Sequence, residues 1–336
     1  MLRRLAPCLL LCSLACEPTI PEHDANPSPL TAGEGKATPT PKEPAMAAPT
    51  PPREGAISIE EVATYPRPGT STPGAVRFSP DGKHLTYLFS PEGSLSRDLY
   101  VQPVDGGERS LLFTPPGGGA TEENLSEEEK LRRERMRMRS LGVTSYAWAK
   151  KTGAFLVPVR GDLWIQDGLE GKPQRIVDTE GSPALDARFS PSGEHVAYVH
   201  DAEVYVVASK GGDPVQITSG ARGTGKTNGL AEYIAQEEMG RHHGYWWSHD
   251  SSKVAFTEVD ERHIPVYRIE HQGKDAPHHE DHGYPFAGEA NAKVRLGVVS
   301  RSGGTVLWLD LNATGIAGER DAEDIYLARV HWMPAR

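Results

Sequence analysis

A chain of 336 residues with a formal net charge of −10 is long enough to bury a core and too acidic to follow a phosphate backbone. Nucleic acid is therefore excluded as a general partner. Its 35 glycines, 28 prolines and 7% aromatic residues suit many short strands joined by turns better than a helical bundle. All three cysteines, Cys8, Cys12 and Cys16, lie at the extreme N-terminus, so the body can have neither a disulfide nor a cysteine-based metal site. No cofactor and no metal are expected.

Residues 1–16 read as a sorting signal. Arg3 and Arg4 precede the apolar run Leu9-Leu10-Leu11, and Ser13-Leu14-Ala15-Cys16 resembles a bacterial lipobox with Ser13 where leucine is more usual. The apolar run is far shorter than the roughly 20 residues of a spanning helix. Lipidation at Cys16 is the expectation and an ordinary cleaved signal the alternative. Either implies export, and lipidation implies anchoring to a membrane, on the periplasmic face or the cell surface. Residues 17–55 hold ten prolines and almost no large apolar side chains, the composition of an extended, disordered tether.

From about Ile57 a pattern recurs. Arg77-Phe78-Ser79-Pro80-Asp81-Gly82 is followed by Leu85–Leu88 and Asp98–Val101. A degenerate copy, Tyr146-Ala147-Trp148-Ala149, precedes Phe155–Val157 and Asp162–Ile165. Arg188-Phe189-Ser190-Pro191-Ser192-Gly193 precedes Val196–Val199 and Val204–Val207, and Trp246-Trp247-Ser248-His249-Asp250 precedes Lys253–Thr257. Pro-Asp-Gly sets a fixed φ, a side-chain acceptor and a residue tolerant of positive φ, which together make a tight turn. The runs after it alternate or are apolar throughout, as strands covered on both faces should be. Repeats near forty residues predict an all-β protein, a β-propeller of about five to six blades over residues 56–336, with helical insertions.

Two segments interrupt the repeat. Thr121 to Arg139 is charged and helical in pattern, with a capping box from Ser126 to Glu129 and i,i+4 pairs Glu128–Arg132 and Glu129–Arg133. It reads as a solvated helix between blades. Asn228 to Trp247 carries Glu237-Glu238 and ends in Tyr245-Trp246-Trp247 before Ser248 and the strand Lys253–Val259.

This second segment closely resembles the propeller of the dipeptidyl peptidase IV family, particularly its bacterial members. Tyr284-Pro285-Phe286-Ala287-Gly288, Asn291–Leu296 and Asp324–Trp332 also look like the family. The resemblance implies that Glu237 and Glu238 hold the free α-ammonium of a peptide substrate. From spacing alone the same pair is only an acidic helix face. The resemblance also implies an arginine that binds substrate carbonyls, which the sequence does not single out among Arg132 to Arg139 or elsewhere. His242 and His243 lie beside the pair with no assigned role. His271, His278, His279 and His282 with Glu280 and Asp281 lack a tight ligand spacing and read as a polar loop.

No Gly-x-Ser-x-Gly nucleophile elbow occurs in the sequence, and catalytic residues are not expected in this chain. The expectation is a truncated propeller, without its α/β-hydrolase domain, that gates substrate and binds peptide N-termini for a serine peptidase, with a separately encoded hydrolase chain as one candidate partner. The alternatives are a non-catalytic, lipid-anchored, TolB-like propeller that binds peptides or proteins, and a remnant without function.

Overall fold

The computed structural model describes residues 57–64, 72–116, 127–179, 182–271, 278–311 and 326–334. The signal and tether, with Cys16, lie outside them. The first described element is a short helix, α1 (Ile59–Ala63), closed by a capping box in which Ser58 and Glu61 exchange side-chain to backbone bonds of 3.0 and 2.8 Å.

Four antiparallel meanders follow. The first blade runs β1 (Gly74–Phe78), β2 (His84–Phe89), β3 (Ser96–Pro103) and β4 (Ser110–Phe113). Helix α2 (Glu127–Arg135) then leads to β5 (Leu141–Gly142), which pairs in parallel with the start of β3. The second blade is β6 (Ala147–Trp148), β7 (Ala154–Val159), β8 (Asp162–Asp167) and β9 (Gln174–Val177). The third is β10 (Leu185–Phe189), β11 (His195–His200), β12 (Glu203–Ala208) and β13 (Val215–Gln216).

The fourth blade is interrupted twice. Its first strand is split into β14 (Lys226–Asn228) and β15 (Tyr245–Trp247), with α3 (Tyr233–Glu237) between them. Both pieces pair with β16 (Lys253–Asp260), β14 opposite residues 258–260 and β15 opposite residues 254–256. A separate hairpin, β17 (Val266–His271) and β18 (His278–Gly283), then departs before β19 (Lys293–Ser300) and β20 (Leu307–Leu309) complete the sheet. Residues spent on α2, the α3 insertion and this hairpin do not build blades. The described residues therefore form four of them, where length alone predicts five to six.

Alternation explains why the strands read as continuous apolar runs. In β11, Val196 and Tyr198 enter the core shared with the second blade, while Ala197 and Val199 enter the core shared with the fourth. In β7, Ala154 and Leu156 face the third blade, and Phe155, Val157 and Val159 face the first. Each of these two strands thus feeds two cores, and each fully buried aliphatic side chain contributes about 1.5–3 kcal/mol.

The recurrent turns share one bonding plan. Ser79 donates to Asp81 at 2.5 Å and accepts the amide of His84 at 3.0 Å; Ser248 donates to Asp250 at 2.6 Å and accepts the amide of Lys253 at 2.9 Å. Bonds from Ser248 and Ser252 hold the Asp250 carboxyl down at about 2. A positive φ closes the turn in every blade, at the fourth turn position in Gly82, Gly193 and Ser251 and at the fifth in Gly153.

A second repeated device joins neighbouring blades. The first strands β1 and β10 each carry a bulge, with Ala75 at φ +50° and Asp186 at φ +49°. The next blade's tyrosine closes on each bulge. Tyr146 lies 2.8 Å from the Ala75 carbonyl and 2.7 Å from that of Thr86. Tyr245 lies 2.5 Å from the Asp186 carbonyl and 2.8 Å from that of Ala197. Tyr245 is buried, so Tyr245→Phe should remove its bonds without opening a cavity and cost about 1–3 kcal/mol, read as a lowered urea midpoint at unchanged slope.

Candidate functional site

The first strands of the blades converge. Arg77 of β1, Ala147 of β6, and Asp186 and Arg188 of β10 line one cavity, so the β1, β6 and β10 edge is the inner edge of the assembly. β14 and β15 occupy the corresponding edge position in the fourth blade, which means the α3 insertion leaves from that inner edge.

The insertion is held by buried polar groups. Glu232 caps α3, accepting the Ala235 amide at 2.8 Å, and pairs at 3.4 Å with Arg241; their side chains are 7% and 2% exposed. Arg241 also donates to the His243 carbonyl at 2.8 Å and the Leu327 carbonyl at 2.9 Å. Burial pulls the Arg241 guanidinium down, and the facing Glu232 opposes that shift. The segment 326–334 is fastened to the same place: Arg329 donates to the Met239 carbonyl at 3.1 Å, and Trp332 to that of Trp246 at 3.1 Å.

On this base sit Glu237, the last residue of α3, and Glu238, its C-cap. Both are solvent-accessible. The Glu237 side chain retains 26% exposure and lies 4.0 Å from the guanidinium of Arg135, which reaches across from α2 and also covers the ring of Tyr233 at 4.9 Å. Tyr233 in turn meets Tyr284 edge-on, and Tyr284 meets Phe286, each with centroids 5.1 Å apart. The acidic pair therefore has aromatic and cationic neighbours and open access to water.

Helix α2 is docked rather than free in solvent, which corrects the expectation of a solvated helix. The expected Glu129–Arg133 pair forms at 2.8 Å, but Arg132 turns inward to Asp186 at 3.3 Å, and the arginine side chains are only 16–19% exposed. Asp186 also binds Arg188 at 3.0 Å. Ser126 and the Glu128 side chain lie outside the described residues. His243 packs into this network. Burial, then the nearby Arg188 charge, lowers it to about 4. Because its unfolded counterpart protonates near 6.5, His243 should cost the fold stability as pH falls from about 6.5 to about 4. An NMR titration should show its imidazole neutral at pH 5, where a solvated histidine is charged.

The histidine-rich stretch is a strand and not a loop: residues 278–283 form β18, paired throughout with β17. Among the described residues no group of three or more His, Cys, Asp or Glu is placed to hold a metal ion.

Gly220 to Thr227 fits the Gly-x4-Gly-Lys-Thr spacing of a phosphate-binding loop, but the structural context differs. A strand, β14, follows it where a helix is required. The buried carboxylate of Glu203 takes the amides of Ala221 and Arg222 at 2.7 and 3.2 Å, and Lys226 pairs with Glu258 at 3.2 Å. The loop carries its own anion.

The model of the "Dipeptidyl peptidase IV (DPP IV) N-terminal region" matches residues 144–336, more than half of the chain. The chain belongs to this family. It is 26% identical over 199 residues to a probable dipeptidyl peptidase 4 of Aspergillus clavatus, covering 57% of this chain and 25% of that protein. It is 31% identical over 113 residues to human prolyl endopeptidase FAP, covering 33% and 15%. It is 27% identical over 175 residues to the rat inactive dipeptidyl peptidase 10, covering 52% and 20%. The crystal structure of Porphyromonas gingivalis dipeptidyl peptidase 4 shares the fold, with a TM-score of 0.56 at 21% identity, over 80% of this chain and 36% of that one. The chain thus spans a quarter or less of each of these three curated relatives. The matched region holds the second, third and fourth blades and the α3 insertion, and with the shared fold it makes these sheets blades of a propeller.

Sequence reasoning singled out Glu237 and Glu238, which the structure leaves accessible at the end of α3, but gave no place to Arg135, Asp186, Glu232 and Arg241. Arg241 follows the pair by three residues and carries no local sign that it is buried.

Proposed function

We propose that this chain is the substrate-binding propeller of a dipeptidyl peptidase IV-type serine peptidase, and that Glu237 and Glu238 receive the free amino end of a peptide. The observation that carries the reading is the placement of two adjacent, accessible carboxylates on an insertion that leaves the inner edge of the fourth blade. A peptide α-ammonium offers three donors and a positive charge, and two neighbouring carboxylates accept them with charge-assisted bonds. Arg135, 4.0 Å from Glu237, would then meet the carbonyl oxygens that follow such an amine. The aromatic side chains of Tyr233 and Tyr284 supply apolar surface for a small side chain.

On this reading cleavage is performed by an α/β-hydrolase module that works with the propeller, whether in the same protein or on a separate chain. Lipidation of Cys16 and the proline-rich residues 17–55 would hold the propeller at a membrane, facing the periplasm or the cell exterior. The presence of a protein named inactive dipeptidyl peptidase 10 among the relatives favours a second reading, in which the propeller captures peptides without cleaving them.

Calorimetric titration of the purified chain with a short proline-containing peptide tests the first element of the proposal. The free-amine peptide should bind at least about tenfold more tightly than its N-acetylated form. Equal affinities would remove the role of the acidic pair. Hydrolysis of the peptide by this chain alone would overturn the assignment of cleavage to another module.

A further inference from the structure

The cavity at the inner edge has a charge opposite to that of the chain. The molecule carries a net −10, yet this cavity of about 380 Å³ gathers five arginines against two carboxylates. Arg132, Arg133 and Arg188 share Glu129 and Asp186, as described above. Arg77 enters from β1 and Arg160 from the turn between β7 and β8. Among the described residues the Arg77 guanidinium meets the ring of Tyr146, at 5.8 Å, and forms no ion pair with a carboxylate. The Nε of Arg132 is buried without a hydrogen-bond partner. Guanidinium groups gathered in one enclosed space repel one another unless an anion sits among them, and their planar forks match the two oxygens of a carboxylate.

Helix α2 connects the cavity to the acidic pair carried by α3. Arg132 and Arg133 of α2 line the cavity, while Arg135, two residues on, reaches Glu237. We propose that the arginine-lined cavity binds a carboxylate of the peptide, downstream of its amino end. That carboxylate is either the C-terminus of a short peptide or an acidic side chain near the start of a longer one. The position of the amino end rests on the function proposed above; the carboxylate preference of the cavity does not. With both ends engaged, the propeller would select short or acidic peptides by charge at two points.

Calorimetry on the full chain separates these elements. The probes are Ala-Pro-Ala-Ala as its acid and as its C-terminal amide, and Ala-Pro-Glu-Ala and Ala-Pro-Gln-Ala, both as amides. At least one carboxylate-bearing peptide should bind about tenfold or more tightly than its neutral counterpart, with the advantage shrinking as salt rises. The first pair of probes reports a terminal carboxylate and the second an acidic side chain. Arg77→Gln and Arg188→Gln should each remove most of the advantage, and Glu237→Gln should leave it in place. N-acetylated versions should still show the carboxylate preference, so a failure of the amine reading leaves this test intact. Equal affinity of acid and neutral peptides at both positions would overturn the proposal, as would an advantage that survives both arginine substitutions.

Discussion

Arg241→Ala should lower the stability of the chain by about 3–5 kcal/mol, the range for breaking one side of a buried ion pair. The substitution removes the partner of Glu232 and leaves that carboxylate 7% exposed with its charge uncompensated. It also strips a donor from the carbonyls of His243 and Leu327, so the α3 insertion and the segment 326–334 lose a common fastening. The guanidinium spans three acceptors from one planar group, which a lysine ammonium on a flexible stem cannot reproduce. Arg241→Lys should therefore recover only part of the loss. The double variant Glu232→Gln with Arg241→Met should be less destabilised than Arg241→Ala alone, because no unpaired charge is buried. Urea unfolding followed by tryptophan fluorescence reads all of these. A loss under about 1 kcal/mol for Arg241→Ala would show that the insertion is held some other way.

Glu237→Gln and Glu238→Gln should each weaken binding of a free-amine peptide about tenfold, and together about a hundredfold. A charge-assisted bond contributes about 1.5–3 kcal/mol, and partial exposure of the Glu237 side chain, at 26%, places its contribution at the lower end. Glutamine keeps the size and an acceptor oxygen but loses the charge, so the effect reports electrostatics rather than shape. Neither substitution touches a buried group, and stability should stay within about 0.5 kcal/mol of the parent. A binding loss accompanied by unfolding would point to a structural role instead.

The blades were legible in the sequence because their information is local. Ser79-Pro80-Asp81-Gly82 and its copies carry the turn chemistry in four residues, and Val196–Val199 shows its two-faced burial in its composition. What lay hidden depends on contacts far apart in the chain. Arg132 meets Asp186 across 54 residues, and Arg241 meets Leu327 across 86. The helical pattern of α2 correctly gave a helix, yet an amphipathic test cannot distinguish an arginine facing water from one facing a cationic cavity. The left-handed turn at Asp186 belongs to a bulge, and a bulge is a property of the paired strands rather than of either sequence. Residues 278–283 read as a loop because histidine and acid residues have weak strand propensity; pairing with β17 overrides it. Glu237 and Glu238 stood out only through family resemblance, since an adjacent acidic pair on a helix has no distinctive spacing.

The most direct test is a double-substitution cycle. The affinity of one peptide is measured free and N-acetylated, against the parent chain and against the chain with Glu237→Gln and Glu238→Gln together. If the carboxylates hold the amine, acetylation weakens binding to the parent at least about tenfold and has almost no effect on the variant. If acetylation weakens binding equally in both chains, the amine is recognised elsewhere and the account fails.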